Sequence, residues 1–101
     1  MNTEYTYQLR HRHTGVILFT ATLSGKTPMN KMARRALEMA VQENADLRGV
    51  DLRYADLRNA NLEGAHLLSS NLEGADLTSA NCMGADFSGA SFKNANLRHA
   101  L

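Results

Sequence analysis

The chain has 101 residues, with 11 Lys and Arg against 10 Asp and Glu, one Pro, one Cys and no Trp. That length fits one domain, or a small domain with a short extension, and a net charge of +1 gives no global pull toward nucleic acid or an acidic membrane. A single Cys excludes an internal disulfide framework and a Cys-rich zinc site, and the longest apolar run, Val16 to Phe19, is too short for a membrane span or a signal-peptide core. A cytoplasmic protein is expected.

Residues 3–23 predict a β-hairpin. Tyr5, Tyr7 and Leu9 alternate with Glu4, Thr6 and Gln8, as in a half-buried strand. His13-Thr14-Gly15 is a turn signal, and Val16 to Leu23 is rich in β-branched and aromatic residues. Ser24-Gly25-Lys26 breaks the second strand. Thr27-Pro28 then reads as an N-cap followed by Pro at the first helical position, opening a helix over 28–43. Met29, Met32, Ala33, Ala36, Leu37, Ala40 and Val41 form its apolar stripe. Met39 lies off that stripe and is expected to touch the hairpin. A lone hairpin is marginal, so it should pack on the helix. Residues 1–44 are expected to close the N-terminal end of whatever 45–101 forms.

From Ala45 onward the chain moves in steps of five. Leu47, Leu52, Leu57, Leu62, Leu67, Leu72, Leu77, Cys82, Phe87, Phe92 and Leu97 share one register. Two residues before each stands Ala, with Val50 and Ser70 the exceptions, and the residue between is mostly Asp or Asn. A helix would scatter steps of five at roughly 140° around its axis, and a flat strand would alternate them between faces. A solenoid, in which each unit buries its face against its neighbours, accommodates them.

Units such as Ala45-Asp46-Leu47-Arg48-Gly49 and Ala75-Asp76-Leu77-Thr78-Ser79 resemble the A(D/N)LXX signature of the pentapeptide-repeat family, across 45–101. The resemblance implies a mainly β protein, a right-handed quadrilateral β-helix of just under three coils, with the N-terminal hairpin and helix as its cap. Four sides of five residues place residue i over i+20, at the strand spacing of about 4.8 Å. Leu and Phe then point inward and Ala fills the corners. Asp or Asn suits the turn between sides, and the last two positions of each unit point outward and vary freely. The inner columns are Leu47, Leu67, Phe87; Leu52, Leu72, Phe92; Leu57, Leu77, Leu97; and Leu62, Cys82.

No catalytic, cofactor-binding or metal-binding constellation emerges. Cys82 holds an inward position, where a thiol behaves as a small inert hydrophobe. His11 and His13 share a strand face, but two His without a third ligand read better as exposed strand residues near a turn. Asp46, His66 and Asp86 form one column, better read as a side-chain ladder than as acid–base machinery. Arg53, Glu73 and Lys93 form another, expected as an exposed ion-pair ladder. Residues 1–44 carry six basic and three acidic groups, net +3, whereas 45–101 carry five and seven, net −2. Lys31, Arg34, Arg35, Arg48, Arg53 and Arg58 are therefore candidates for an interaction surface, with Tyr54 as its aromatic anchor. The plainer alternative is a solvated charged face.

The chain ends at Leu101 with no helix to cover the last coil. An open coil exposes an apolar end, so a homodimer is expected there, with Phe87, Phe92, Leu97 and Leu101 at its contact. The run Tyr7-Gln8-Leu9-Arg10-His11-Arg12, then Thr14-Gly15 and Leu18-Phe19-Thr20-Ala21 ahead of a helix and the repeats, is similar to small phage and prophage members of the family. That resemblance implies a non-enzymatic protein that binds and inhibits a host protein, for example a CRISPR-type defence complex. The alternatives are a DNA-mimic modulator of topoisomerase and direct nucleic-acid binding through the basic N-terminal end. Net −2 in the repeats is weak charge for a DNA mimic.

Overall fold

The computed structural model describes residues 3–101. Strand β1 (Glu4–Arg10) pairs antiparallel with β2 (Ile17–Ser24), with an irregularity after Leu9 where the hairpin bends. Leu9, Ala21 and Leu23 form its buried face, with Tyr7 and Phe19 half-buried beside them. A single 3-10 turn (Met29–Lys31) leads into helix α1 (Met32–Gln42). The helix lies where the apolar stripe predicts, except that Met29 is exposed. Its start is also displaced: Pro28 is the residue before the first turn, at φ −60° and ψ 143°, so Thr27 is not the cap. The extended ψ at Pro28 sets the chain's entry angle into the helix.

Beyond α1 the chain coils in five-residue sides. Parallel bridges join Asp51 to Asn71, Asp56 to Asp76, Asn61 to Asn81, His66 to Asp86, Asn71 to Ser91 and Asp76 to Asn96. Every pair is twenty residues apart, which is four sides per coil. Backbone bonds run both ways between coils: Leu52 N–H donates to Asn71 O at 2.8 Å, and Asn71 N–H donates to Val50 O at 2.9 Å. Leu47, Leu57, Leu62, Leu67, Leu72 and Leu77 are fully buried along the axis, with Leu52 nearly so.

The turns do not sit at Asp or Asn. They run from each Leu to the next Ala, as in Leu57 O accepting from Ala60 N–H at 3.1 Å. The residue before the Ala has positive φ, as at Tyr54 (59°), Asn59 (61°), Gly64 (71°) and Ser79 (60°). That is a type II turn, whose third residue favours Gly or Asn. The outward positions are therefore not equally free: the fifth is restrained by backbone sterics. Asp and Asn act one step earlier, their Oδ1 accepting the N–H two residues on, as from Arg53 to Asp51 at 3.1 Å and from Met83 to Asn81 at 3.1 Å.

Cap and coil share one apolar cluster that includes Leu9, Leu23, Ala36, Leu37, Ala40 and Leu47. The polar joints explain why the hairpin and helix fit this end. The first coil has no preceding coil to receive its N–H groups. Arg10 O takes the one from Asp51 at 2.8 Å, and Glu38 Oε2 takes the one from Asn61 at 2.9 Å. His11 bridges Val50 antiparallel, and Arg12 Nη1 donates to Ser69 O at 3.2 Å. At the far end Cys82, Phe87 and Phe92 are only half-buried, while Leu97 and Leu101 are exposed.

Ser70 stands at an Ala position, fully buried, and its Oγ has no hydrogen-bond partner among the described residues. A buried hydroxyl without a partner is destabilising. Ser70→Ala is therefore expected to raise the unfolding free energy by about 1 kcal/mol, read from urea unfolding. A loss of stability would show that the hydroxyl is satisfied.

Candidate functional site

The repeat arginines are each engaged locally. Arg48 pairs with Asp46 at 2.7 Å, Arg53 with Asp51 at 3.0 Å, and Arg58 with Asp56 at 2.7 Å. In every case the arginine Nε also donates to the carboxylate of the residue two before it. The same carboxylate accepts the arginine backbone N–H, so one Asp holds both the turn and the side chain. The column Arg53, Glu73, Lys93 forms no ion-pair ladder among the described residues. Its arginine is drawn to its own unit, where the fork geometry is already set.

These bonds act on titration. The side-chain bond from Arg48, then its backbone bond, lowers Asp46 to about 2 from an ordinary 3.8. Asp56 moves down mainly through the Arg58 side-chain bond. Asp76 and Asp86 move down through the hydroxyls and backbone N–H groups of Thr78 and Ser88. At Asp51 burial pushes upward, and the two Arg53 bonds together with its charge more than offset it. Burial raises the Cys82 thiol, as suits an inert side chain.

The histidines are not gathered for metal chemistry. His11 Nδ1 accepts the N–H groups of His13 (3.1 Å) and Thr14 (3.3 Å), and its ring lies against Gly49, where a Cβ would collide with it. His11 is thus half-buried, tying the hairpin to the coil, and not an exposed strand residue. His66 pairs through its backbone with Asp86, but Asp46 and Asp86 are occupied by Arg48 and Ser88. Among the described residues no group of three His, Cys, Asp or Glu is arranged to hold a metal.

Tyr54 is 73% exposed and lies against Gly74 one coil on, at a spot that only a missing Cβ leaves open. Phe87 and Phe92 meet edge-on at 5.2 Å between ring centres, beside the exposed Leu97 and Leu101. Lys31, Arg34 and Arg35 come together in a groove of about 470 Å³ between α1 and the end of β2. Lys26 joins them there, a residue that periodicity does not mark because it lies in the connection between elements. Arg34 Nη1 donates to Arg58 O at 3.4 Å, linking the helix to the coil, while its Nε is buried without a partner among the described residues. The six arginine and lysine candidates therefore divide into two sets. Those of the coil are neutralised in place, and those of the cap line one groove.

A coil of five-residue sides, joined every twenty residues and packed with Leu, defines a repeat solenoid. The model of the family described as pentapeptide repeats matches residues 45–81 and 80–101, and the chain belongs to that family. Such proteins are generally interaction proteins with a non-enzymatic fold. The chain is similar to a pentapeptide repeat protein (Rfr23) from the cyanobacterium Cyanothece 51142, whose crystal structure is 42% identical with a TM-score of 0.49. That match covers 50% of this chain and 34% of the other, so this chain spans about a third of that protein's length. No curated protein matches it. No helix among the described residues is long and apolar enough to cross a membrane.

The lowered carboxylates make stability depend on pH with a fixed sign. Groups whose folded value is depressed stabilise the protein above their unfolded value, and the contribution is lost as pH falls. Stability should be level above about pH 5 and decline from about pH 4 toward pH 2. Asp76→Asn, which keeps the oxygen that caps the Thr78 N–H, should make the decline shallower. Urea unfolding at stepped pH measures this, and a curve level down to about pH 2 would contradict it.

Proposed function

We propose that this protein is a cytoplasmic, non-enzymatic binding module that engages a host macromolecule, in the manner of a small phage-encoded inhibitor of a defence complex of the CRISPR type. One observation carries the binding reading: among the described residues two surfaces of different character are left without a partner. The cap offers a cationic groove, and the last coil offers a half-covered apolar face. The phage and defence part rests on the likeness of the hairpin–helix cap to small phage members of the family. The right-handed winding and the count of just under three coils, like the division into 1–44 and 45–101, belong to the same proposal.

The DNA-mimic alternative draws less support, because Asp46, Asp51 and Asp56, three of the four acidic residues of the first coil, are tied to arginines. Nucleic-acid binding through the cap is the second reading, favoured by the clustered cations. An affinity pull-down from bacterial lysate tests the main reading. A defence complex retained by the tagged protein supports it, whereas recovery of topoisomerase or of nucleic acid alone selects an alternative.

The apolar end supports a homodimer through Phe87, Phe92, Leu97 and Leu101. Covering it would also bring two open coil edges together. Sedimentation at micromolar concentration is expected to give a dimer, and Leu97→Asp a monomer with unchanged circular dichroism. A monomer for the unaltered chain overturns the dimer while leaving the binding reading intact.

A further inference from the structure

The cap groove has a second property besides charge. Thr22, Leu23 and Ser24 line it together. Consecutive strand side chains point to opposite faces, and no residue of β1 lines the groove, so it borders the last three residues of β2 on the side away from β1. β2 has β1 as its sole partner in a two-stranded sheet, and its outer edge is unpaired among the described residues. The other edge of the hairpin is different: at Arg10 to Arg12 it is bonded to the first coil. The groove therefore runs between a free strand edge and a helix.

The helix wall is graded for one kind of occupant. Arg35 and Met39 lie four apart along α1, Lys31 precedes them at the same interval in the turn that leads into the helix, and Arg34 flanks them. Lys26 closes the end, and no acidic residue among those described borders the groove. Lys26 and Lys31 are exposed and make no ion pair among the described residues, while Arg35 has only a loose contact with Glu38 at 3.9 Å. Glu38 itself is turned to the Asn61 N–H. Met39, half-buried, supplies an apolar floor, with Leu23 buried beneath.

We propose that this groove takes an extended acidic segment of a partner protein, added to β2 as a third strand. The strand edge would supply main-chain hydrogen bonds, the half-buried Met39 would receive apolar side chains, and the four cations would select carboxylates on the others. Nucleic acid meets the charge but makes no use of the strand edge, which is why a peptide is the better fit. The inference rests on the binding-module reading and specifies its partner's chemistry at one site.

The probe is a short fluorescent peptide alternating glutamate with valine, titrated against the full chain. Controls are its lysine counterpart, a version interrupted by proline, and a single-stranded oligonucleotide of matched charge. The acidic peptide is expected to bind, to weaken as salt rises, and to shift the amide resonances of Thr20 to Leu23. Lys26→Glu with Lys31→Glu, both at exposed positions, should weaken it about tenfold or more without altering circular dichroism. Proline interruption should weaken it as well, because it removes ladder donors. No binding, equal binding of the proline version, tighter binding of the oligonucleotide, or shifts confined to the last coil would each overturn the proposal. The binding-module reading fails separately, when the pull-down retains no macromolecule. A retained partner indifferent to the cap substitutions would sink the groove proposal alone.

Discussion

A backbone ladder between residues twenty apart is what the rest of the molecule depends on. It fixes which side chains stack, and so turns a five-residue rhythm into a filled leucine core. It also leaves a specific deficit at each end. At the first coil the deficit is of acceptors, and the cap meets it with a carbonyl from the hairpin and a carboxylate from the helix. At the last coil nothing among the described residues meets it, and the Phe and Leu side chains there are correspondingly less covered. Among the described residues only one of the two ends is closed, and the ends are chemically unlike for that reason.

The Asp and Asn residues sit at the centre of this network of bonds. Each supports the turn beyond it, and Asp46, Asp51 and Asp56 also hold the guanidinium of the Arg two residues on. A surface that looks charged in sequence is in consequence nearly self-cancelling around the first coil. On the cap, by contrast, Lys26 and Lys31 have no such neighbour two residues away.

Much of the fold was legible because its information is periodic. The hairpin, the helix and the inward register of Leu, Cys and Phe come directly from spacing. The turn position did not, since Asp favours both a turn and the place just before one. The recurrence of Gly, Asn and Ser at the fifth position (Gly49, Asn59, Ser69, Gly74) is the signal that locates it. Tyr54 masks that signal by occupying a left-handed site with a bulky ring. The candidate site was half legible. Composition revealed a basic N-terminal part, but pairing partners are settled by geometry, and a groove between a strand edge and a helix has no signature in either element alone. Lys26 is the plain case, since its place in the groove comes from where a connection carries it.

The twenty-residue repeat distance also governs how such a chain can change length over evolution. Adding or losing a single residue would swing leucines outward, and any number that is not a multiple of five would break the register of every later side. A multiple of five preserves the register but rotates the later sides by a quarter turn, setting different residues over one another and moving the exposed end relative to the cap groove. Whole coils alone lengthen the rod while keeping its two ends in the same relative orientation. Length and the angle between its ends are therefore inherited in discrete steps, and a lineage can tune the geometry of a bound assembly by counting units.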